Sequence, residues 1–579
     1  MFHRNSSPIF SMTYQELSNF IWNIADDVLR GLFKNHEYGD VILPFVVLRR
    51  LDCVLEPKKQ EAYDTYQEYK DKIDDPTPII RNATGTNFYN VSRFDLSRLK
   101  QDANNIRQNF DNYLNGYSKN VLEIIENFQL DKPVQKLTKN NRLFLLIDKF
   151  TEVDLHPDKV DNRLMGQLYE ELLRKFSEMS NETSGDHYTP RDVVRLLVAV
   201  LFEEDREDLQ GQGKVRSIFD CCAGSGGMLT IGQDYVHTNI NSDIKLRLLG
   251  QEINPQTFSI CKSDFLITGE DPDAIRLGNS LSNDHFQGDR FDYMATNPPF
   301  GVSWKSDKDF VLSEAGNPHG RFFAGTPRTS DGSLLFLQHL ISKMEDHGSR
   351  IGIVFNGSPL FTGDAGSGES EIRKWIIEND WLEGIIALPD QLFFNTGIST
   401  YIWLVTNKKA PYRKGKVQLI NAADFYKPMK KSLGSKRKEI SEEQRQQIVE
   451  LYTAYEEGPN CKIYPNTFFG YTKVTVEQPL LDEEDKVVMT RKGDAKPDSK
   501  KRDYERIPLE EDIDAYYQRE VAPHLPDAWM ERSKDKIGYE INFTKYFYAY
   551  KPLRPLQDIT ADLMKLEEEM EGMMKEILE

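Results

Sequence analysis

The sequence contains no run of 18 or more apolar residues, so we expect no transmembrane helix of ordinary length and no membrane partner. Its first ten residues, MFHRNSSPIF, lack the sustained apolar segment of a secretory signal peptide. With 579 residues, of which 39% are hydrophobic, the chain is long enough to build several buried cores. These features predict a cytoplasmic, multidomain globular protein.

Cysteine and histidine are scarce, which argues against a metal centre. The five cysteines show no paired spacing of the kind that binds zinc, and the ten histidines include no H-E-x-x-H arrangement. The adjacent Cys221 and Cys222 stand beside a glycine-rich segment, where small packing residues are commoner than ligands or a disulfide. We therefore predict free thiols, a reducing compartment and no metal site.

Positive charge is in deficit, because 73 Lys and Arg face 92 Asp and Glu and leave a net charge of -19. Contacts from Lys and Arg to phosphate dominate affinity for nucleic acid, so such a chain is poorly suited to hold a duplex alone. One local exception is the basic segment from Lys427 to Lys438, KPMKKSLGSKRK. This segment either contacts phosphate or forms a charged surface linker, and its composition favours the linker.

The sequence does contain a tetrapeptide suited to methylating an exocyclic amine, Asn297-Pro298-Pro299-Phe300. Such an amine is a poor nucleophile because its lone pair is delocalised, and two acceptors for its hydrogens would draw that pair out. The Asn297 side-chain oxygen and the Pro298 carbonyl are the candidates, with proline restricting the backbone between them and Phe300 offering a stacking face. The alternative is a proline-rich turn after a buried strand, with Phe300 as core.

Two predicted strands place such motifs at the edge of a sheet. Residues 290–296 (RFDYMAT) predict a strand before NPPF, and residues 215–220 (VRSIFD) predict one before the glycine-rich turn that begins at Ala223. Open α/β sheets bind ligands at the carboxyl ends of their strands, and glycines followed by a helix start favour an anionic group. A third strand, 246–251, leads to Glu252, which either binds ribose hydroxyls or is a solvated carboxylate.

Four segments, taken in order, resemble the motifs of amino-methyltransferases that act on DNA: GDHYTPRDVVRLL (185–197), FDCCAGSGGM (219–228), GQEINPQT (250–257) and NPPF. More closely, the chain resembles the modification subunit of type I restriction-modification systems. The likeness includes the N-terminal ELSNFIWNIADDVLRG and YGDVILPFVVLRRLD, the later ALPDQLFFNTGISTYIWLV, and GYEINFTKYFY near the end. It therefore covers most of the chain.

The resemblance implies an adenine-specific DNA methyltransferase that transfers the methyl group of S-adenosylmethionine to adenine N6. Thr189 would lie near the methionine carboxylate, Glu252 would bind the ribose, and Asn279 would lie near the cofactor adenine, where many relatives carry aspartate. HYTPR is equally compatible with a helix start that has Thr189 as N-cap and Pro190 at the first position. The implied cofactor-binding residues are Asp186, His187, Tyr188, Thr189, Pro190, Arg191, Asp220, Ala223, Gly224, Ser225, Gly226, Gly227, Glu252 and Asn279.

The same resemblance supplies partners for an acidic chain. It implies two modification subunits, a specificity subunit that recognises the DNA sequence, and a restriction subunit that acts as the motor. The target adenine of double-stranded DNA would be flipped out of the helix, because N6 is inaccessible while the base is stacked. An N4-cytosine methyltransferase and a protein-glutamine methyltransferase are the alternative functions, and a non-catalytic assembly protein is a third.

The predicted fold class is α/β: a doubly wound, Rossmann-like methyltransferase domain with a helical N-terminal domain and a C-terminal helical extension. Residues 1–165 predict the helical domain, 166–425 the catalytic domain, 426–503 a charged helical or linker region, and 504–579 the C-terminal region. A loop, GDAGSG (363–368), lacks the lysine of a P-loop and precedes a helix for which Ser370 is a plausible cap. We predict a structural or substrate-side loop there.

The chain ends in a heptad pattern. Its apolar residues recur at alternating steps of three and four, which predicts a helix with one apolar seam. Because a lone helix cannot bury such a seam, it packs either on this chain's own core or on a partner, and helices of a specificity subunit are the preferred partner. The seam residues are Leu556, Ile559, Leu563, Leu566, Met570, Met573 and Ile577.

Overall fold

The computed structural model describes residues 14–179, 189–394, 396–548 and 555–578. The chain forms two compact units, one ending at Ile541 and the other beginning at Asn542. Within the described ranges, no helix is both long and apolar enough to cross a membrane.

The first part of the larger unit is helical. Burial of apolar side chains drives this region to fold, since nearly every residue of helix α2 (YGDVILPFVVLRRLDCVL) is buried. The buried Arg50 in this helix donates hydrogen bonds to the carbonyls of Leu155 (2.5 Å) and Val160 (2.7 Å), so its charge is solvated by backbone. The helices are α1 (Tyr14–Leu29), α2 (Tyr38–Leu55), α3 (Lys59–Tyr69), α4 (Thr77–Thr84), α5 (Leu96–Leu99), α6 (Ile106–Asn115), α7 (Lys119–Asn127), α8 (Asp131–Lys139), α9 (Leu143–Thr151) and α10 (Asn162–Met179).

A mixed sheet follows the helical region. The described strands are β1 (Val215–Asp220), β2 (Lys245–Glu252), β3 (Ile275–Leu277), β4 (Tyr293–Thr296), β5 (Arg350–Asn356), β6 (Leu382–Ala387), β7 (Thr400–Thr406), β8 (Lys416–Asn421), β9 (Lys427–Leu433), β10 (Lys436–Glu439), β11 (Cys461–Pro465), β12 (Gly470–Glu477), β13 (Asp503–Pro508), β14 (Trp529–Met530) and β15 (Lys536–Tyr539).

Nine of these strands form the main sheet, in the order β11-β8-β6-β7-β5-β4-β1-β2-β3. Strands β1 to β5 are parallel where they pair, whereas β7 runs antiparallel to both β5 and β6. The order reverses at β1, which has β2 on one side and β4 on the other. A topological switch of this kind opens a crevice outside the carboxyl ends of the two strands.

Helices cover both faces of the main sheet. In β1, Ile218 belongs to the core shared with α11, α12, α13 and α18, whereas the neighbouring Phe219 contacts His339 of α15 on the other face. The predicted doubly wound α/β fold with a helical N-terminal region is thus confirmed. The helices are α11 (Arg191–Glu203), α12 (Gly227–Asn239), α13 (Pro255–Thr268), α14 (Lys308–Ala315), α15 (Ser333–Ile341), α16 (Ser358–Phe361), α17 (Gly368–Glu378) and α18 (Glu442–Ala454).

The domain boundaries differ from the sequence-based ones. Helix α10 runs through residue 165 to Met179, and the main sheet continues beyond residue 425 because β11 pairs with β8. The basic segment from Lys427 to Lys438 is the β9–β10 hairpin rather than a linker. Its charged composition concealed this, since Lys436 is buried in an ion pair with Asp192 (2.9 Å), 244 positions earlier.

A small antiparallel sheet completes the larger unit, with β12 paired to β13, β14 and β15. Residues 478–502, within the region 426–503 for which the sequence predicts a charged helical or linker segment, contain isolated bridges but no regular element. The larger unit also contains the short helix α19 (Ile513–Tyr516). The smaller unit contains α20 (Phe543–Tyr546) and α21 (Leu556–Leu578), so the heptad segment is helical as predicted.

The GDAGSG segment is a structural loop. Its N-cap prediction is wrong, because α17 begins at Gly368 and Ser367, not Ser370, caps it by accepting a hydrogen bond from the Ser370 amide. The buried Arg373 of α17 donates to the carbonyls of Gly363 (3.3 Å) and Tyr539 (2.6 Å). These bonds join the loop to α17 and β15.

Candidate active site

The two motif loops meet at the topological switch. Strand β1 ends at Asp220 and strand β4 ends at Thr296, so the glycine-rich turn and NPPF leave the sheet side by side. The Thr296 hydroxyl donates a hydrogen bond of 2.6 Å to the Asp220 carboxylate, and the Cys222 amide donates another of 2.9 Å. The fold therefore connects the two motifs directly.

The glycine-rich turn depends on left-handed backbone. Gly224 and Gly226 have φ of +54° and +86°, a region in which a side chain is strained. At Gly226 a Cβ would also lie 2.8 Å from the Cys261 sulfur. Gly226 is the N-cap of α12, so the turn delivers the chain to the N-terminus of that helix. The positive end of the α12 dipole lies at this N-terminus, where an anionic group is favoured.

Glu252 joins the second strand to the glycine-rich turn. One carboxylate oxygen accepts from the Gly224 amide and the other from the Asn254 amide, both at 2.8 Å. A carboxylate has about four acceptor positions, so two remain for a ligand. The side chain also lines the cavity described below, so it is available for the predicted contact with a ribose.

Asn297 is held in one orientation. Its side-chain nitrogen donates a 3.0 Å hydrogen bond to the Thr189 hydroxyl, whereas its oxygen Oδ1 is buried and has no hydrogen-bond partner among the described residues. Leaving a buried acceptor unpaired costs about 1–3 kcal/mol, so such an atom calls for a functional explanation. The tetrapeptide thus presents an acceptor beside the cavity.

The N-cap prediction for Thr189 is wrong, because α11 begins at Arg191 with Pro190 at the N-cap position. The placement of Thr189 near the cofactor carboxylate stays a prediction. Thr189 lines the cavity and fixes the Asn297 amide.

Phe300 is half-buried and packs edge-on against Phe393, with ring centroids 5.8 Å apart. Phe393 is buried in the core and follows β6, within one of the segments that carry the family resemblance. Both the core alternative and the stacking role are compatible with this partial burial, so the stacking role stays a prediction.

A cavity of about 360 Å³ opens at the switch, within the size range of small-molecule sites. It brings together residues from all four motif segments and adds residues that the sequence analysis did not single out. The predicted residues that line it are Thr189, Asp220, Ala223, Gly224, Ser225, Gly227, Glu252, Asn279, Asn297 and Pro299, and the added ones include Trp304, Ser306, Asp307 and Phe336.

Other predicted residues lie beside this cavity or outside the described chain. Gly226, Pro190, Pro298 and Phe300 neighbour lining residues in sequence, and Arg191 lines a separate cavity of about 640 Å³. Asp186, His187 and Tyr188 lie outside the described residues. Cys221 and Cys222 are free thiols that line the cavity, in addition to their predicted packing role.

The pKa of Asp220 is unusual. Burial raises it to about 7, and the nearby charge of Glu252 adds to that effect, while the hydrogen bonds from Thr296 and the Cys222 amide oppose it. Burial therefore disfavours the ionised form of Asp220. A cation placed beside it would favour the ionised form.

The basic β9–β10 hairpin contacts the loop whose Phe393 packs against Phe300. The amides of Ser435 and Arg437 donate hydrogen bonds to the carbonyls of Phe394 (2.8 Å) and Gln391 (2.9 Å), in the loop that contains Phe393. Lys436 and Lys438 are engaged in ion pairs, whereas Lys430 and Arg437 are exposed. Lys430 and Arg437 therefore lie exposed on a hairpin that contacts the segment packed against Phe300.

Comparison with known proteins agrees with this geometry. The family model described as N-6 DNA methylase matches residues 160–474, more than half of the chain, and the HsdM N-terminal domain model matches residues 17–150. The chain is 28% identical over 463 residues to the type I restriction enzyme MjaIX methylase subunit of Methanocaldococcus jannaschii. That alignment covers 76% of this chain and 78% of the relative.

Solved structures show the same fold. A type I restriction-modification methyltransferase subunit from Streptococcus thermophilus matches with a TM-score of 0.62 and 21% identity, over 79% of this chain and 96% of that one. A chain from a study of complex assembly and conformational transition of the type I restriction-modification system matches with a TM-score of 0.51 and 20% identity, over 98% of both chains.

Proposed function

The chain belongs to the N-6 DNA methylase family, as a type I restriction-modification methylase subunit, and we propose that its cavity at the β1–β4 switch is the site of adenine N6 methylation. The observation that carries this assignment is the buried, unpaired Oδ1 of Asn297, held beside the cavity by Thr189.

The family and fold imply the use of S-adenosylmethionine, which supplies a methyl group bound to a sulfonium. The residues present fit it: the glycine-rich turn allows close backbone approach, Glu252 has spare acceptors for ribose hydroxyls, and the acidic Asp220 suits a cationic amino acid end. The cavity volume suits a nucleoside with a short side chain. We therefore assign the cofactor to this cavity.

The protein's part in the reaction is to hold and polarise the amine. Asn297 Oδ1 and the Pro298 carbonyl accept hydrogen bonds from the two N6 hydrogens, and Phe300 supports the base. As N6 acquires positive charge, these fixed acceptors stabilise it without having to reorient. No strong base or covalent nucleophile is required, because positioning and electrostatics provide the rate enhancement.

The target adenine has to leave the duplex to reach this site. Holding DNA is difficult for a chain with a net charge of -19, so we assign sequence recognition to a specificity subunit and propose a complex with a second modification subunit and a restriction subunit. The exposed Lys430 and Arg437 of the hairpin would contact phosphates near the flipped base.

Helix α21 is the proposed contact with the specificity subunit. Its predicted seam has the period of a helix that packs on others, and its acidic run, Glu567-Glu568-Glu569, suits a basic partner. Deleting residues 556–579 should abolish co-purification with that subunit while S-adenosylhomocysteine still binds. An intact complex would exclude this role for α21.

The function is tested by transfer of a labelled methyl group from S-adenosylmethionine to host DNA, followed by nucleoside analysis. The chain is assayed alone and with its specificity subunit, and Asn297→Ala serves as the inactive control. We expect N6-methyladenine only in the presence of the partner. Label in N4-methylcytosine would identify a cytosine enzyme, and label in protein but not DNA would identify a glutamine methyltransferase.

A further inference from the structure

Position 279 lacks the carboxylate that the family resemblance leads one to expect near the cofactor adenine. Asn279 follows β3, and the register that pairs Leu277 with Glu252 places it next to the proposed ribose site. Its Oδ1 already accepts a hydrogen bond of 2.9 Å from the Leu281 amide. Its side-chain nitrogen donates at 2.9 Å to the carboxylate of Asp307. The amide is therefore turned with its donor toward a neighbouring acid.

Asp307 is held on the cavity wall by neutral donors. It lies at the end of a short 3-10 turn, Lys305–Asp307, which follows NPPF. Besides Asn279, the Ser282 hydroxyl donates to Oδ1 at 2.6 Å and the Ser306 hydroxyl donates to Oδ2 at 3.0 Å. These three bonds fix the carboxylate without neutralising its charge, and about one of its four acceptor positions remains.

Glu252 and Asp307 thus both line the cavity. A nucleoside with its ribose on Glu252 extends its base toward Asn279, which follows the adjacent strand β3, and toward Asp307, which follows β4 and accepts a hydrogen bond from Asn279. Trp304, buried at 3% exposure, lines the same wall and is fixed by a 2.9 Å bond from its indole nitrogen to the Arg328 carbonyl. An aromatic residue and an acceptor at the far end suit a base that carries an amino group.

We propose that Asp307 accepts a hydrogen bond from the exocyclic amine of the cofactor's adenine and so supplies the carboxylate that position 279 lacks. This inference rests on the proposed function, because it places the cofactor in this cavity. Asn279 then acts as a positioning residue that orients Asp307. The site selects an amino purine, since a 6-oxo purine would present an acceptor to a carboxylate.

The test is calorimetric titration of the full chain with S-adenosylhomocysteine and with its deaminated analogue, S-inosylhomocysteine. The wild type should prefer the adenine form by at least about tenfold, as expected for a hydrogen bond to a charged group. Asp307→Asn and Asp307→Ala should bind S-adenosylhomocysteine about tenfold more weakly and lose most of the preference. The matched control is Asp309→Asn, which changes an exposed acid two positions away and should alter neither value.

The outcomes separate this inference from the function on which it rests. If the wild type binds with the expected preference and both Asp307 variants keep that preference, the role of Asp307 is excluded and the cofactor site stands. If the wild type binds neither ligand, the assignment of the cavity and this inference both fall. A preference ratio does not respond to partial unfolding, since both ligands are measured on the same folded fraction.

Discussion

The two ends of the main sheet both bury an aspartate, with opposite electrostatic results. At the amino end, burial alone would raise the pKa of Asp205, but Arg350 and Lys408 outweigh it and hold that pKa below its usual value. At the carboxyl end, burial raises the pKa of Asp220 to about 7, because its hydrogen-bond donors are neutral and Glu252 is close. The difference separates a structural ion network from the proposed ligand site.

The amino end is tied together by charges from distant parts of the chain. Arg350 pairs with Asp205 at 2.9 Å and with Glu383 at 2.7 Å, and the Tyr293 and Tyr452 hydroxyls donate to the same two acids. The carboxyl end instead has an unpaired Asn297 Oδ1 and carboxylates with spare acceptor positions. Stability should depend on the first end, and turnover on the second.

The largest expected effect on stability comes from Arg350→Met, which leaves two buried carboxylates without their shared cation. We expect the free energy of unfolding to fall by about 3–5 kcal/mol, as when one partner of a buried pair is removed. Chemical denaturation measures it. The control Arg519→Met removes an arginine that pairs with Glu511 and Glu520 on the surface, and should cost about 1 kcal/mol or less. Equal losses would contradict the assigned role of the amino end.

Asn297→Ala should lower turnover without lowering stability. Methyl transfer in a single turnover should slow by about 100-fold to 1000-fold, because a fixed acceptor for the reacting amine is lost. The melting temperature should not fall, since the variant also removes a buried, unpaired polar atom.

Two variants of Thr189 test whether its hydroxyl orients the Asn297 amide. Thr189→Val deletes the hydroxyl that orients the Asn297 amide, whereas Thr189→Ser retains it. We expect slower transfer with the valine variant and near-normal transfer with the serine variant, with S-adenosylhomocysteine affinity measured alongside. Equal rates in the two variants would show that the hydroxyl does not position Asn297.

The pH dependence of ligand binding tests the raised pKa of Asp220. S-adenosylhomocysteine has an ammonium group, so its binding should favour ionised Asp220 and lower that residue's pKa from about 7. Affinity should therefore rise roughly tenfold between pH 6 and pH 8 and then level off. Calorimetry with Asp220→Asn should give a flat profile in this range. Folding has the opposite sign: a raised carboxyl pKa makes the folded state less stable as the pH rises from about 4 to 7.

The smallest expected effect concerns the hairpin. In the assembled complex, Lys430→Ala with Arg437→Ala should reduce the slope of log affinity for DNA against log salt by about 2, since each phosphate contact contributes about 0.9. Arg491→Ala with Lys492→Ala is the matched control, because it removes the same charges from the exposed 478–502 segment. Identical slopes for the two double variants would exclude a hairpin contact.

Strands and turns whose residues are adjacent in the sequence were predictable from the sequence alone. The strand 215–220 was predicted with the bounds that the structure has, and NPPF was correctly placed after a strand, because buried apolar runs and turn residues are visible in sequence. The place where these strands meet was inferred from the resemblance and from a general rule for open sheets.

The remainder depended on contacts between distant residues. Lys436 pairs with Asp192, and Asp307 contacts Asn279, so no spacing rule could identify either partner. The sequence predicts a charged helical or linker region over residues 426–503, because a lysine in a buried ion pair cannot be told from a solvated lysine in the sequence. Only tertiary pairing brings β11 into the main sheet beside β8 and joins β9 to β10 in a separate hairpin.

The buried Asn297 oxygen also bears on product release. Unmethylated adenine can offer two N6 hydrogens to the proposed pair of acceptors, but N6-methyladenine retains only one. After transfer, one acceptor is again without a partner in a site that water reaches poorly, which weakens the hold on the methylated base. In the proposed reaction, the atom that costs the protein some stability at rest would thus favour the return of the methylated base to its stack.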